Sequence, residues 1–410
     1  MADLNDPGFW RRFWSRLTGR PRLDQGDKAY PFDNHQTPGG TSVNSETALR
    51  LSAVWACVRL RSQTMATLPL HLRSADRSPA LDHPLYRVLH TQPNADMTAS
   101  EYWEAKYASL DLWGNAYSRI DREGRRIVAL TPLDPERVIV GRQRSGRLEY
   151  EFKRHGGSET FDESDIFHLK GFTLDGMIGL STLQYIAEMA GNLMDANRAA
   201  SHEFANNLKM GGFLKTGMAT LTGEQRERLR AQLAMFGLPE NAGKWMVLEA
   251  GVEPATAQSI RMKPEDAQLL ESRYFGIEEI CRGFGVPPQL IGHTNKASSW
   301  ASSLENTNMG FLTYTLRPAL VRTEQAIAKS LLSPEERHIY RPKYSVEGLL
   351  RADSAGRSAL HSTYVQNGIM TRNEVRALED LPPIPGGDEL TVQVNMTPID
   401  RLGRSEDPTP

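Results

Sequence analysis

The groups in this chain that could do chemistry are few, and each lacks a partner at the required spacing. Gly237-Leu238-Pro239-Glu240-Asn241-Ala242-Gly243-Lys244-Trp245 comes nearest to a phosphate-binding loop. It has one residue too many between its glycines, and Trp245 stands where a metal-binding hydroxyl belongs. A loop leading into a strand is the simpler reading. Gly179-Leu180-Ser181-Thr182-Leu183 resembles a nucleophile elbow without its last glycine. Ser181 is therefore expected to cap a helix, its hydroxyl accepting from a free backbone N–H. His202-Glu203 has no second histidine four residues on from His202, so a zinc-protease helix is excluded. Glu278 and Glu279 are adjacent on a helical stretch and point in different directions, so they cannot share a proton. His83, His90 and His168 lie beside apolar runs with no metal-ligand spacing near them, and they read as hydrogen-bonded structural histidines. Cys57 and Cys281 are the only cysteines. They supply no disulfide framework or zinc pattern and read as buried thiols of a reducing compartment. No metal and no cofactor is expected.

The elements that position these groups follow from periodicity. Ser45–Thr67 reads as a helix with Leu51, Trp55, Val58 and Met65 on one face, stopped by Leu68-Pro69. Ser100–Trp113 reads as a second helix, ended by Gly114-Asn115. Short β-branched or aromatic runs follow at 116–120, 126–130, 137–140, 147–153 and 166–169, separated by glycine-bearing turns. The first half is thus an α+β unit with a mostly antiparallel sheet. Leu180–Lys209 returns to helical period, with Leu183, Ile186, Ala190 and Leu193 on one stripe.

An insert, Phe213–Met262, holds a helix opened by the capping box Thr222-Gly223-Glu224-Gln225 and a strand at Trp245–Leu248. Pro264 then opens a long helix in which Leu270, Tyr274, Ile277, Cys281 and Phe284 repeat at heptad-like spacing. Val286-Pro287-Pro288 breaks it. Gln289–Trp300 is a polar loop, and a helix over about 302–332 is expected to kink at Pro318. A strand at His338–Ser345 and helices to Leu381 complete the fold, with a capping box at Thr371-Arg372-Asn373-Glu374. Residues 19–44, rich in Gly, Pro, Asp and Asn, read as a mobile arm, and Arg404–Pro410 as a tail. The aromatic stretch Phe9–Trp14 reads as a short amphipathic docking segment for a neighbouring subunit. It has no apolar core or cleavage site of a signal peptide.

Composition narrows the classes further. The chain has 410 residues, 48 Lys plus Arg against 50 Asp plus Glu, and 39% apolar residues. That allows several domains and a real core. The near-neutral balance argues against a protein that clamps nucleic acid on a basic face, though not against one that guides it without gripping. The apolar runs are far shorter than a membrane span needs. A nucleic-acid motor or nuclease would require a nucleotide loop or a carboxylate metal cluster, and the sequence offers neither.

Several stretches, taken in order, resemble the siphophage-type portal family. They are Arg50–Arg59, His83-Pro84-Leu85-Tyr86 with Gln92-Pro93-Asn94, Trp113–Tyr117 and Leu130–Val138. The sharpest is Glu279-Ile280-Cys281-Arg282-Gly283-Phe284-Gly285-Val286-Pro287-Pro288. Tyr314–Pro318, Asn367-Gly368, Asn373–Arg376 and Pro382–Asp388 follow. The resemblance runs over about residues 45–390. It implies a portal fold and a structural subunit, not an enzyme: a dodecameric ring at one capsid vertex, assembled in the host cytoplasm and resident in the virion. Through it double-stranded DNA is packaged and ejected without sequence specificity. The implied partners are further copies of the chain, the terminase large subunit, a head–tail adaptor, and the major capsid protein with its scaffold; no membrane is implied.

On this resemblance the parts are an N-terminal arm (1–44), an α+β wing (45–175), a first stem helix (176–211), a small α/β clip (212–262) and a second stem helix (263–285). A tunnel loop (286–300), a kinked helix with a strand returning to the wing (301–349), a helical crown (350–390) and a tail (391–410) follow. Leu270, Tyr274, Ile277, Cys281 and Phe284 would pack the stem. Glu224, Arg226, Arg228 and Arg230 would dock terminase or connector at the clip. Gln289, His293, Thr294, Asn295, Lys296, Ser298 and Ser299 would lie near DNA. A single lysine per subunit in that loop suits sliding contact, because a strongly basic lining would hold the polyanion.

Overall fold

The structure is a computed structural model, and it describes residues 27–31, 34–37, 40–76, 78–205, 214–216, 222–224, 227, 231, 252–254, 266–293, 306–346, 354–379 and 381–391. The chain divides into two compact units, residues 1–344 and 345–410.

The first unit opens with three two-residue strands, β1 (Lys28–Ala29), β2 (His35–Gln36) and β3 (Ser42–Val43). Two helices follow, α1 (Ser45–Leu49) and α2 (Ser52–Ala66). The single helix expected over 45–67 is broken because Leu51 takes an extended conformation as the N-cap of α2. This resets the helical face: Val54, Cys57, Val58 and Met65 are buried, whereas Trp55 is 52% exposed. The described part of 27–44 is not the mobile arm its composition suggested. Ala29 pairs with Val140 of a sheet described below, and Val43 is fully buried. Thr37 and Thr41 both donate to Asp195. Gly40, at φ 81° and with its N–H donating to Thr37 O at 2.9 Å, lies between the paired β2 and β3.

β4 (Leu70–Arg73), α3 (Pro84–His90) and α4 (Ala99–Trp113) come next. α4 starts at a Thr98–Glu101 capping box and stops at Gly114, whose φ of 72° only glycine adopts without strain. Six strands then run in sequence: β5 (Asn115–Glu123), β6 (Arg126–Leu133), β7 (Val138–Arg142), β8 (Leu148–Arg154), β9 (Gly157–Asp162) and β10 (Ile166–Lys170). Every pairing is antiparallel. β1-β7-β8-β9 form one sheet and β10-β5-β6 another. β9, absent from the periodicity reading, is a polar edge strand with only Phe161 buried; such strands carry little hydrophobic signal.

Tyr117, Leu133, Val138, Val140, Leu148, Tyr150 and Ile166, from the two sheets, form one core cluster. α4 meets β5, its Tyr102 hydroxyl lying 2.8 Å from Ser118 Oγ. α2 packs beside α4.

α5 (Thr182–Ala205) is capped by Ser181, whose Oγ accepts from Gln184 N at 3.1 Å, as the sequence implied. Its Leu183, Ile186, Ala190 and Leu193 are all buried. In the insert, β11 (Leu214–Thr216) pairs antiparallel with β12 (Val252–Pro254); its expected strand at 245–248 lies outside the described residues. α6 (Asp266–Phe284) returns beside α5. A helical run over 306–310 passes into a π-turn, Phe311–Leu316, and then α7 (Arg317–Leu331). Pro318 therefore sits in the first turn of α7. The hydrogen bond it cannot make is absorbed by widened π-turns just before it. α8 (Glu336–Ile339) leads to β13 (Arg341–Tyr344), which pairs with β4.

The second unit holds α9 (Ser354–Gln366) and α10 (Arg372–Leu378). Thr371 and Glu374 form the expected capping box. Asn373 ties the proline-rich segment back onto α10. Its Nδ2 donates to Ile384 O at 3.0 Å and Asp388 Oδ1 at 2.9 Å, and its Oδ1 accepts from Ile384 N at 2.8 Å.

Candidate functional site

Among the described residues, the histidines and carboxylates singled out by the sequence are held in structural contacts. His83 accepts from Leu85 N at 3.2 Å as the cap of α3. His90 Nδ1 lies 3.1 Å from Leu70 O. His168 Nε2 donates to Asn115 Oδ1 at 3.0 Å, and its Nδ1 accepts from Tyr150 at 3.1 Å. Burial, then nearby lysines, hold its pKa well below the ordinary histidine value, so it is neutral. Lys106 is buried, donates to Tyr117 O and sits 5.3 Å from the Tyr102 ring centre. Burial depresses its pKa. Glu278 faces His293 while Glu279 pairs with Arg282, as their adjacency required. Among the described residues no cluster of His, Cys, Asp or Glu could hold a metal, and no helix is long and apolar enough to cross a membrane. The Gly237–Trp245 stretch and the His202 side chain lie outside the described residues.

What the fold does build is a tight helix pair with a secured end. A Cβ on Gly276 would stand 3.3 Å from Leu193 Cδ1, and one on Gly283 would collide with Ile186 Cγ2. The contacts run in opposite directions along the two chains, so α5 and α6 are antiparallel. Seven-residue spacing puts both glycines on one face of α6. Ile280, Cys281 and Phe284 are buried, Ile277 is partly buried, and Tyr274 is 46% exposed. The heptad reading thus located Cys281 and Phe284. It missed Gly276, Gly283 and Ile280, and it placed Tyr274 on a face the helix does not bury within this chain. Paired glycines seven apart were the available signal. The Leu270 side chain lies outside the described residues.

The C-terminus of α6 ends in a Schellman turn: Val286 N donates to Cys281 O at 2.9 Å and Gly285 N to Arg282 O at 3.1 Å, with Gly285 at φ 66°. Arg61 of α2 donates to the Phe284 carbonyl. The same guanidinium grips Asp111 of α4 through two contacts of 3.0 Å each. Burial raises the Asp111 pKa, and Arg61 opposes that shift. Thr315, in the π-turn, donates to Gly285 O at 2.6 Å. Two helices and the π-turn therefore hold the point where the chain leaves α6. Arg61 and Asp111 carry no motif, and their meeting is visible only in three dimensions.

Beyond that point Pro288–Ile291 forms a 3-10 turn. His293 folds back onto α6, its ring 5.2 Å from Tyr274 and Nε2 3.9 Å from Glu278 Oε1. Of the other residues expected near DNA, Gln289 is exposed, and Thr294, Asn295, Lys296, Ser298 and Ser299 lie outside the described residues. At the clip, Glu224 is exposed; Arg226, Arg228 and Arg230 lie outside them.

The first unit is thus an antiparallel helix pair on an α+β base, with its described histidines and Lys106 held in structural contacts. Comparison with known proteins names its kind. The sequence profile described as "Phage portal protein" matches residues 52–380, and the chain belongs to that family. It is 35% identical to the portal protein of Enterobacteria phage HK97 over 98% of this chain and 96% of the relative. It is 31% identical to the probable portal protein of Streptomyces phage phiC31, over 97% and 91%. The neck of an empty gene transfer agent particle contains a chain of similar fold. The TM-score is 0.60 and the identity 26%, covering 83% of this chain and 94% of that one. A portal protein is a component of the virion, at a vertex of the capsid, and is not an enzyme.

Proposed function

We propose that twelve copies of this chain close into a ring whose channel passes double-stranded DNA during packaging and ejection. The carrying observation is the α5–α6 pair with its braced end. Two long helices lock by glycine contact along one face, and α6 leaves Tyr274 and Phe275 exposed on another. A ring subunit needs such faces, one for its own fold and one for its neighbour. The similar gene transfer agent neck was computed with C6 symmetry, which a twelve-membered ring satisfies.

In this reading α5 and α6 are the stem, the α+β part of the first unit is the wing, and residues 350–390 are the crown. The insert 212–262 is the clip, presenting Glu224, Arg226, Arg228 and Arg230 to the terminase large subunit and later to a head–tail adaptor. Capsid protein and scaffold surround the ring. The loop after α6 enters the channel. Gln289, Thr294, Asn295, Lys296, Ser298 and Ser299 face the sugar–phosphate backbone, and His293 seats the loop against α6. Such contacts position a duplex without reading its sequence. Negative-stain microscopy of the purified chain tests the proposal: annular particles with twelvefold or neighbouring symmetry are expected, and a monomer at every concentration and salt condition would overturn it.

A further inference from the structure

We propose that Cys57 and Cys281 are an oxidation site, closing into a disulfide that ties α6 covalently to α2 when the protein meets a peroxide-class oxidant. Both cysteines are fully buried, 224 residues apart in sequence, with their sulfurs 3.9 Å apart. A disulfide needs about 2.05 Å, so the sulfurs, 3.9 Å apart, must close by roughly 2 Å. The backbones are already held together nearby. Arg61, one turn on from Cys57, bonds to the carbonyl of Phe284, three residues on from Cys281. No other cysteine exists in the chain, so within one subunit the pairing is unambiguous.

The chemistry balances with hydrogen peroxide as oxidant. The Cys57 S–H points at Cys281 Sγ and favours the Cys281 thiolate, which lies below the ordinary thiol value, while Cys57 lies above it. The thiolate attacks one peroxide oxygen, the O–O bond breaks, and hydroxide leaves as water on taking a proton. The resulting sulfenic acid is attacked by Cys57 sulfur. The S–O bond breaks and a second water leaves with the Cys57 proton. The two sulfurs lose two electrons, and the peroxide gains them. A bulky disulfide reagent has no room for its mixed-disulfide intermediate at a buried pair, so a small oxidant is required. The pair stays reduced in a host cytoplasm and meets oxidising conditions once a virion is released; that timing rests on the portal assignment, whereas the chemistry does not.

The test uses the full-length assembled protein, exposed to hydrogen peroxide, alkylated in denaturant, and read by intact mass and non-reducing peptide mapping. The expected result is loss of both alkylatable thiols, a linked Cys57–Cys281 peptide within one chain, and an unfolding midpoint higher by on the order of 5 °C. Dithiothreitol should reverse the shift, and Cys57→Ser and Cys281→Ser should lack it. Two thiols still alkylatable, oxidation stopping at sulfinic acid, or linkage only between different chains would each overturn the site, whether or not the protein forms rings.

Discussion

Gly283 of α6 approaches Ile186 of α5 so closely that no Cβ fits between them. The packing of the two long helices is thus set by the absence of a side chain.

Gly283→Val should therefore force the helices apart, costing about 1–3 kcal/mol as overpacking does. Gly276→Ala, whose new carbon meets Leu193 at 3.3 Å, should cost less than Gly283→Ala. Thermal unfolding of the three variants checks the order. Equal midpoints for the two alanine variants would contradict the packing described.

Arg61 and Asp111 form a buried bidentate pair, with side-chain exposures of 16% and 3%. Asp111→Ala leaves the guanidinium without its counter-charge and should destabilise by about 3–5 kcal/mol. The double variant Arg61→Met/Asp111→Leu should recover much of that loss, because it removes both charges. Denaturant unfolding of the single and double variants measures the coupling.

His168 should make stability pH-dependent. Its folded pKa is depressed below 6.5 by burial, so the unfolded chain takes up a proton before the folded one does. Its contribution is complete above pH 6.5 and is lost as pH falls from there towards the depressed value, with a slope of up to about 1.4 kcal/mol per pH unit. His168→Gln should be less stable at neutral pH yet flatten the slope across that window. An unchanged slope would place the histidine's ionisation elsewhere.

Deletion of Leu290–Ser299 removes the loop but leaves the Schellman turn and the Arg61 and Thr315 contacts at the end of α6. Ring assembly by microscopy should survive, while packaging or retention of DNA should fail. A deletion variant that fills capsids normally would remove the loop from the DNA path.

Asn373 makes three hydrogen bonds to the segment that follows α10. Asn373→Ala should cost the second unit about 1–3 kcal/mol and open Leu381–Asp388 to protease. Cleavage rates of the two proteins compare this directly.

Local chemistry was legible along the chain. The Ser181 and Thr371 caps, the stop at Gly114 and the buried stripe of α5 all depend on residues within one turn of each other, so short-range sterics and hydrogen bonding decide them. Each candidate catalytic motif also failed on its own spacing, and the chain's membership of the portal family agrees with that reading. Tertiary packing decided the rest. Trp55 points outward because Leu51 breaks the helix and resets its face. Thr37 and Thr41 are held by Asp195 from more than 150 positions away. Arg61 meets both Asp111 and the end of α6, and Cys57 meets Cys281 across 224 residues. Such pairings depend on which helix lies beside which, and no local pattern of residue types encodes that choice.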